Sequence, residues 1–400
     1  MATPSAESGD KPRCLIVFKF NSRWNHHLLM KLALAYTTFH VYADEIFRKQ
    51  GSKGLTRHLN KLVDEVHADI VLFEIDFYPA IDFEVISHVS SSPTKVALSY
   101  DDLVLHELNS ITAWACDLVI TGDPISSLRY REKDMIAEYM ALESSKDLYF
   151  DRNLPRDIDV LHFGSLDKAD RKEFIEYLLE KGISVKTIGT GNSFVPAEEL
   201  PEYISRAKIV INFSKTDYLA TANFPQDHAH MYYLQLKGRM IEAGLCGTTC
   251  VSEYSPSMAL LYSDQEVPTF RTKEECYTLV SLLLHDDVTR NGIAAKLHKK
   301  VSTEFEDQVQ MDKIRKTIDT LARRDRLPIR VPLTYRRKVL RAKISLVIRS
   351  PGLVLGEIVY ALCSKMSMSL GQRILLACET VLWIPWHVIS RTTRKMTRGV

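Results

Sequence analysis

No two of the seven cysteines form a C-x-x-C pair. Cys14, Cys116, Cys246, Cys250, Cys276, Cys363 and Cys378 are scattered and odd in number, so neither a zinc knuckle nor a disulfide framework is indicated. The N-terminal MATPSAESGDKPR contains no apolar run and does not read as a secretory signal; a reducing cytoplasm is the expected location. There is no repeat period and no low-complexity tract. An apolar stretch of 16 residues, 374–389, is interrupted by Glu379 and Pro385, which makes it short for a membrane span.

What is present is a chain of 400 residues, 46% apolar and 26% charged. Those fractions suit a folded soluble protein, and the length suits two domains plus an extra segment. The net charge of +2 conceals an asymmetry. From Arg323 onward there are 16 Lys+Arg and 3 Asp+Glu, a net +13, whereas the preceding 322 residues carry 36 basic and 47 acidic residues, a net −11. A basic tail on an acidic body points to a polyanionic partner for the tail.

Residues 1–12 are polar and expected to be disordered. CLIVFKF (14–20) then reads as a buried strand and 24–39 as a helix. Strands follow at 68–75, 95–100 and 116–122, with helices at 80–89 and 105–115. ALESSKDLYFDRNLPRD (141–157) breaks the pattern and reads as a linker. Strands resume at 158–164, 184–189, 208–214 and 248–253, with helices at 168–182, 197–207 and around 236–247, and helices fill 272–322. Short Val- and Ile-rich runs alternating with helical patterns predict βαβ units and parallel sheets. The expected fold class is α/β, with two Rossmann-like doubly wound domains in series facing a cleft. The expected domains are 13–150, 151–325 and a basic amphipathic helical tail, 326–400. Ligands in such sheets sit beyond the carboxyl ends of the strands, where helix N-termini favour phosphate.

One carboxylate, Glu242, lies among small and apolar residues in LKGRMIEAGLCGTTCVSEY (236–254). With DIDVLHFGSLDKADRKEFIEYLLEKGISVKTIG, AKIVINFS and LLLHDDVTRNGIAAKLHKKVSTEF, this stretch resembles glycosyltransferases of the GT-B architecture, and among them the CgeB-type group. The resemblance spans about residues 68–320. It implies a nucleotide-diphosphate sugar held by the second domain, with no further cofactor and no metal. Glu242 would accept both ribose hydroxyls through its two oxygens, and Ala243, Gly244 and Gly247 would let the helix lie close to the sheet. Many relatives carry a second glutamate eight residues earlier, where this chain has Leu234. Arg171 opens a helix where the family has an arginine, and Arg239 shares a helical face with Glu242. Either could stabilise the departing diphosphate. Gly164 and Ser165 would form the phosphate-facing turn, Lys215 follows a strand end, and Gly189 and Gly191 lie where the base docks. Surface charges and plain turns are the alternatives.

Asp227, His228 and His230 in FPQDHAHMYY are too loosely spaced to indicate a metal site; a loop facing the donor sugar or a structural loop fits better. In the first domain, Asn21, His26 and His27 follow the first strand, and Asp76, Asp101 and Asp102 end two others. Asn21, His26 and His27 are candidates for acceptor contact or general base, and any of Asp76, Asp101 and Asp102 could act as base or orient the acceptor, with His27, Asp101 and Asp102 the expected catalytic residues and helix capping the alternative for the aspartates. The tail combines RVPLTYRRKVLRAKISLVIRSPG with Trp383 and Trp386 flanked by Arg391, Arg394 and Lys395. This suits peripheral attachment to an anionic cytoplasmic leaflet, and a helical pair packed on the first domain is the alternative. Nucleic acid is a weaker partner, since no binding module accompanies the charge. The expected activity is sugar transfer to a glycan or lipid-linked acceptor. A non-catalytic scaffold of the same fold and a sugar-nucleotide epimerase are the rivals.

Overall fold

The computed structural model describes residues 11–76, 78–100, 102–141, 145–167, 170–189, 195–196, 198–215, 234–321, 331–363 and 368–397, with side chains except at 23, 24, 103, 104 and 386–397. Each half opens with a strand buried on both faces, as parallel strands covered by helices are. These are β1 (Arg13–Phe18) and β7 (Ile158–Phe163). The first sheet adds β2 (Thr37–Tyr42), β3 (Ile70–Glu74), β4 (Thr94–Ser99), β5 (Leu118–Thr121) and β6 (Ala137–Tyr139) in the order β2-β1-β3-β4-β5-β6. The second adds β8 (Val185–Ile188), β9 (Ala207–Asn212), β10 (Thr249–Glu253) and β11 (Thr269–Phe270) in the order β11-β10-β9-β7-β8. Every pairing is parallel. In both sheets the winding reverses beside the first strand, between β1 and β3 and between β7 and β9, which is where crevices open in such folds.

Alternate residues of the first sheet feed two cores. Leu15, Val17, Val71, Phe73 and Ala97 lie in one, and Cys14, Ile16, Phe18, Leu72 and Leu98 in the other. The second sheet divides likewise, with Leu161, Val210 and Cys250 on one face and Val160, Ile209, Ile211 and Val251 on the other. Each fully buried large aliphatic side chain contributes about 1.5–3 kcal/mol.

The structure corrects the expected helix over 24–39. Helix α1 (Arg23–Ala33) ends early, and the β-branched and aromatic run TTFHVY forms the edge strand β2, as its composition favours. Helix α2 (Ala43–Val66), interrupted at Gly51, follows. The first half is completed by α3 (Phe83–His88), α4 (Asp102–Ala113) and α5 (Pro124–Glu132). The second contains α6 (Arg171–Glu180), α7 (Leu200–Arg206), α8 (Arg239–Leu245), α9 (Pro256–Ala259), α10 (Lys273–His285) and α11 (Asp287–Glu304). Helix α12 (Asp307–Asp319), expected within the second half, buries Met311 and Ile314 against Cys14, Ile16 and Leu32 of the first. At its start Asp307 pairs with the buried Lys31 at 2.9 Å, and that ammonium also donates to the carbonyl of Ala141. A buried ammonium needs both partners.

The tail forms α13 (Leu333–Val347), α14 (Pro351–Leu362) and α15 (Leu370–Thr397). Part of its basic charge turns inward. Val331, Tyr335 and Val339 pack on Phe83, Leu105, Leu108 and Ile111. Arg336 meets Glu84 at 3.4 Å, and Lys343 reaches Asp82 at 3.0 Å and the Ser52 hydroxyl at 2.9 Å. Glu357 accepts from both the Ser52 amide and hydroxyl at 2.6 Å. Docking on the first half is therefore observed for α13 and the inner side of α14. Replacing Glu357 with alanine leaves the buried Ser52 amide unsatisfied and should cost about 2–4 kcal/mol. Limited proteolysis should then release the tail earlier than in wild type; unchanged cleavage would show that this contact does not anchor it.

Candidate functional site

Strand β7 delivers His162, Phe163 and Gly164 to the carboxyl edge of the second sheet, and its neighbour β9 delivers Asn212. Helix α8 begins above them. Its first residue, Arg239, donates from Nε to the carbonyl of Phe163 and from Nη1 to Asn212 Oδ1 at 3.1 Å, with its guanidinium 5.6 Å from the Phe163 ring centroid. A half-buried arginine thus lies across the switch point. Gly164 makes room for it. Its φ of +114° lies in the region that favours glycine, and a Cβ there would sit 2.1 Å from Arg239 Nη2, so a side chain would have to push the guanidinium aside. The Gly164 amide donates to Ile188 O at 2.8 Å, which brings Gly189 alongside.

The other donor-side candidates converge here. Ser165 forms the turn after Gly164, and its carbonyl accepts from Arg171 Nη1 at 2.9 Å; Arg171 Nη2 reaches Lys215 O at 2.8 Å. Arg171, expected to offer its guanidinium to a phosphate, is 2% exposed and braces two strand-end loops from beneath. Lys215 lies between Asp170 at 2.6 Å and Glu253 at 3.2 Å, and Glu253 also accepts the amides of Ser214 and Lys215 at 3.0 Å. Burial first, then the neighbouring Arg239, lowers Arg171 to about 10. Burial, and after it Arg239, pushes His162 down to about 3, so this ring is neutral at pH 7. Lys215 is already matched by carboxylates, which leaves a crowded pair of guanidinium groups that an anion would complement.

One turn along α8, Glu242 is 4% exposed and accepts from the Tyr149 hydroxyl at 2.9 Å. Tyr149 lies in the stretch read as a linker. Gly244, expected to approach the sheet, instead faces Leu297 and Val301 of α11. Leu234 forms a bridge with Lys215. Asp227, His228, His230 and Gly191 lie outside the described residues. Among the described residues no group of three His, Cys, Asp or Glu could hold a metal ion.

The acceptor-side candidates do not assemble in the same way. Asp101 lies outside the described residues. His27 is half-buried on α1 beside the exposed His26, with ring centroids 6.1 Å apart. Asp102, expected as a base at the cleft, is fully buried and accepts from Tyr130 Oη at 2.7 Å and Asn109 Nδ2 at 3.1 Å. A carboxyl with no exposure cannot take a proton from an acceptor while these elements stay in place. Burial raises it to about 6. Asp76 is likewise a tie, accepting from the Ser99 hydroxyl at 2.5 Å and the Tyr100 amide at 2.9 Å. Lys19, which follows β1 directly, pairs with Glu74 and Asp76, each at 3.3 Å. Lys19, Tyr149, His162, Asn212 and Glu253 were not singled out in the sequence. Lys19 and Glu253 were visible as charged residues closing apolar strands. Asn212 and Tyr149 matter only through contacts across the fold.

Residues 171–316 match the protein family described as "Glycosyl transferase-like". No curated protein matches the chain significantly. The fold is similar to that of sucrose-phosphate synthase from Thermosynechococcus elongatus, with a TM-score of 0.54 at 11% identity over 78% of this chain and 100% of that one. It is similar to HepE of Anabaena in complex with UDP-glucose, with a TM-score of 0.54 at 13% identity over 77% and 100%. A glycosyltransferase from Rickettsia africae gives 0.55 at 8% identity over 78% and 99%. The architecture is therefore the GT-B one, two Rossmann-like α/β units with parallel sheets.

Two outcomes test the site. Replacing Gly164 with alanine should displace Arg239, lower the thermal midpoint and weaken any anion bound there by at least about tenfold; an unaffected midpoint would mean that Arg239 is not confined by this residue. The second concerns pH. His106 is buried and pushed down to about 3, as His162 is. Both stay neutral when folded and take up protons only in the unfolded chain. Each therefore removes stability as pH falls below the ordinary histidine value, by roughly 1.4 kcal/mol per pH unit. Asp102 acts oppositely. Its folded pKa lies above the unfolded value, so between about pH 6 and 4 the folded state takes up its proton and stability is gained on acidification. Replacing Asp102 with asparagine should steepen the loss of stability over that window by about one proton equivalent, read from denaturation curves between pH 7 and 4. An unchanged slope would contradict a buried, titrating Asp102.

Proposed function

We propose that the protein is a glycosyltransferase that moves a sugar from a nucleotide-diphosphate donor to a glycan or lipid-linked acceptor, within the CgeB-type group. The observation that carries this reading is the guanidinium of Arg239 laid across the ends of β7 and β9, beside the Gly164–Ser165 turn. Diphosphate departure builds negative charge, and a preorganised cation at a strand-end turn is suited to receive it without a metal. Arg171 and Lys215 hold the two loops in register. Glu242 is the ribose ligand in this scheme, with Tyr149 orienting its carboxylate. The base stacks toward Gly189. The acceptor is met from the first half, with His27 of α1 the candidate base that keeps some exposure. The enzyme works at the cytoplasmic face of the cell membrane, where a lipid-linked acceptor is within reach of the tail.

The match of residues 171–316 to a glycosyl transferase-like family supports this reading, and so does a fold similar to that of a protein solved with UDP-glucose. The rival, a non-catalytic relative, is favoured by Leu234 standing where many relatives carry glutamate. Thermal-shift measurements against UDP-, GDP-, ADP- and CMP-sugars separate the two. Binding to the folded state raises the midpoint by mass action. One nucleotide should raise it, and Glu242→Gln and Arg239→Lys should each weaken that response about tenfold or more, provided that they fold as wild type. No response to any nucleotide, in folded protein, favours the scaffold.

A further inference from the structure

The outer sides of the last two helices are unusual for a surface. On α14 the exposed positions are Pro351, Gly352, Leu355, Gly356 and Val359. On α15, as far as Pro385, they are Leu370, Gly371, Ile374, Leu375, Cys378, Val381, Leu382 and Pro385. The spacings 352, 355, 356, 359 and 370, 374, 378, 381, 385 each follow one helical face. None of these side chains carries a charge, an amide or a hydroxyl. Leu355, Leu370 and Leu382 are 63%, 74% and 76% exposed. The opposite sides, with Val354, Ile358, Leu376, Trp383 and Ile384, already pack together with Leu340 and Ile344 of α13. The outward stripes are thus additional to the ones that fold the tail.

The tail's own unpaired charge, among the described residues, is basic. Of the three acids after Arg323, Glu357 is buried against Ser52 and Lys343, and Glu379 is held by Arg337 Nη2 at 2.8 Å; Asp325 lies outside the described residues. The cations that stay at the surface include Lys338, Arg341 and the exposed Arg349, and α15 runs on through Arg391, Arg394 and Lys395. No helix among the described residues is long and apolar enough to cross a membrane.

We propose that the outward stripes of α14 and α15 are a monotopic docking surface for an anionic bilayer, lying in the headgroup region with α13 as the brace to the enzyme body. A lipid interface suits apolar side chains on a basic tail whose described acids are paired. A second copy would bring together two surfaces of the same positive sign, which repel. This deepens the membrane part of the reading above, and its failure would leave donor binding, measured without lipid, untouched.

The test is flotation of the full-length protein with phosphatidylcholine vesicles with and without phosphatidylserine. The comparison is the triple variant Leu355→Ser, Leu370→Ser, Leu382→Ser, which changes no charge and no buried residue. Wild type should float with the anionic vesicles and less with the neutral ones. The variant, at an unchanged thermal midpoint, should show a bound-to-free ratio lower by at least about tenfold. A dye on Cys378, in a background with Cys363→Ser, should shift to the blue on binding. Absence of flotation, or equal flotation of the variant, overturns the proposal. So does light scattering that shows a wild-type dimer made monomeric by the same three changes.

Discussion

The guanidinium of Arg239, fixed between a carbonyl of β7 and the Asn212 amide of β9, sets the rest of the second half. A charge at a half-buried strand end is tolerated only where hydrogen bonds take up its N–H groups. That requirement locates the first turn of α8 and, one turn on, Glu242 and its partner Tyr149. The guanidinium stays there only while position 164 has no side chain to displace it. Burial, and after it this guanidinium, depresses the proton affinity of His162 and Arg171, which keeps the histidine uncharged beside two arginines. The outcome is a positive, preorganised edge at the point where a doubly wound sheet opens.

The same device recurs in both halves. In the first, Glu74 accepts the amide of Lys19 at 3.0 Å and pairs with its ammonium, and Asp76 completes the cluster. In the second, Glu253 accepts the amide of Lys215 at 3.0 Å and pairs with its ammonium, and Asp170 completes the cluster. A strand-end glutamate thus locks the loop of a neighbouring strand and neutralises the lysine that follows. Parallel sheets leave such loops without ladder partners, and a buried carboxylate with two amide or ammonium donors supplies them. These clusters make the carboxyl edges stiff, as sites of differential binding require.

The sheets were legible in the sequence because parallel strands are apolar on both faces, and CLIVF and IVIN show it. The missed strands, β2, β6 and β11, all lie at sheet edges. β2 is half-exposed and polar enough to merge with the preceding helix, and β6 and β11 have three and two residues. Gly164, Ser165, Lys215 and Gly189 could be gathered beforehand because each adjoins a strand end, Arg171 through the family resemblance, and Arg239 through the helical face it shares with Glu242. Their roles could not. Whether an arginine faces a crevice or braces loops from below depends on packing, and Arg171 proved to be the brace. Asp102 looked like Asp76 in sequence, and both turned inward to satisfy neighbours that only the fold supplies. The tail read as basic and apolar, but the division between Lys343, buried against Asp82, and Arg349, exposed, needs three dimensions.

The most direct measurement of the central claim is a crystal structure of the protein with a nucleoside diphosphate. The account predicts the diphosphate within hydrogen-bonding distance of the Arg239 guanidinium, over the Gly164–Ser165 turn, with the ribose toward Glu242. A diphosphate bound elsewhere, with Arg239 still closed on Phe163 and Asn212 and untouched by it, would contradict the account.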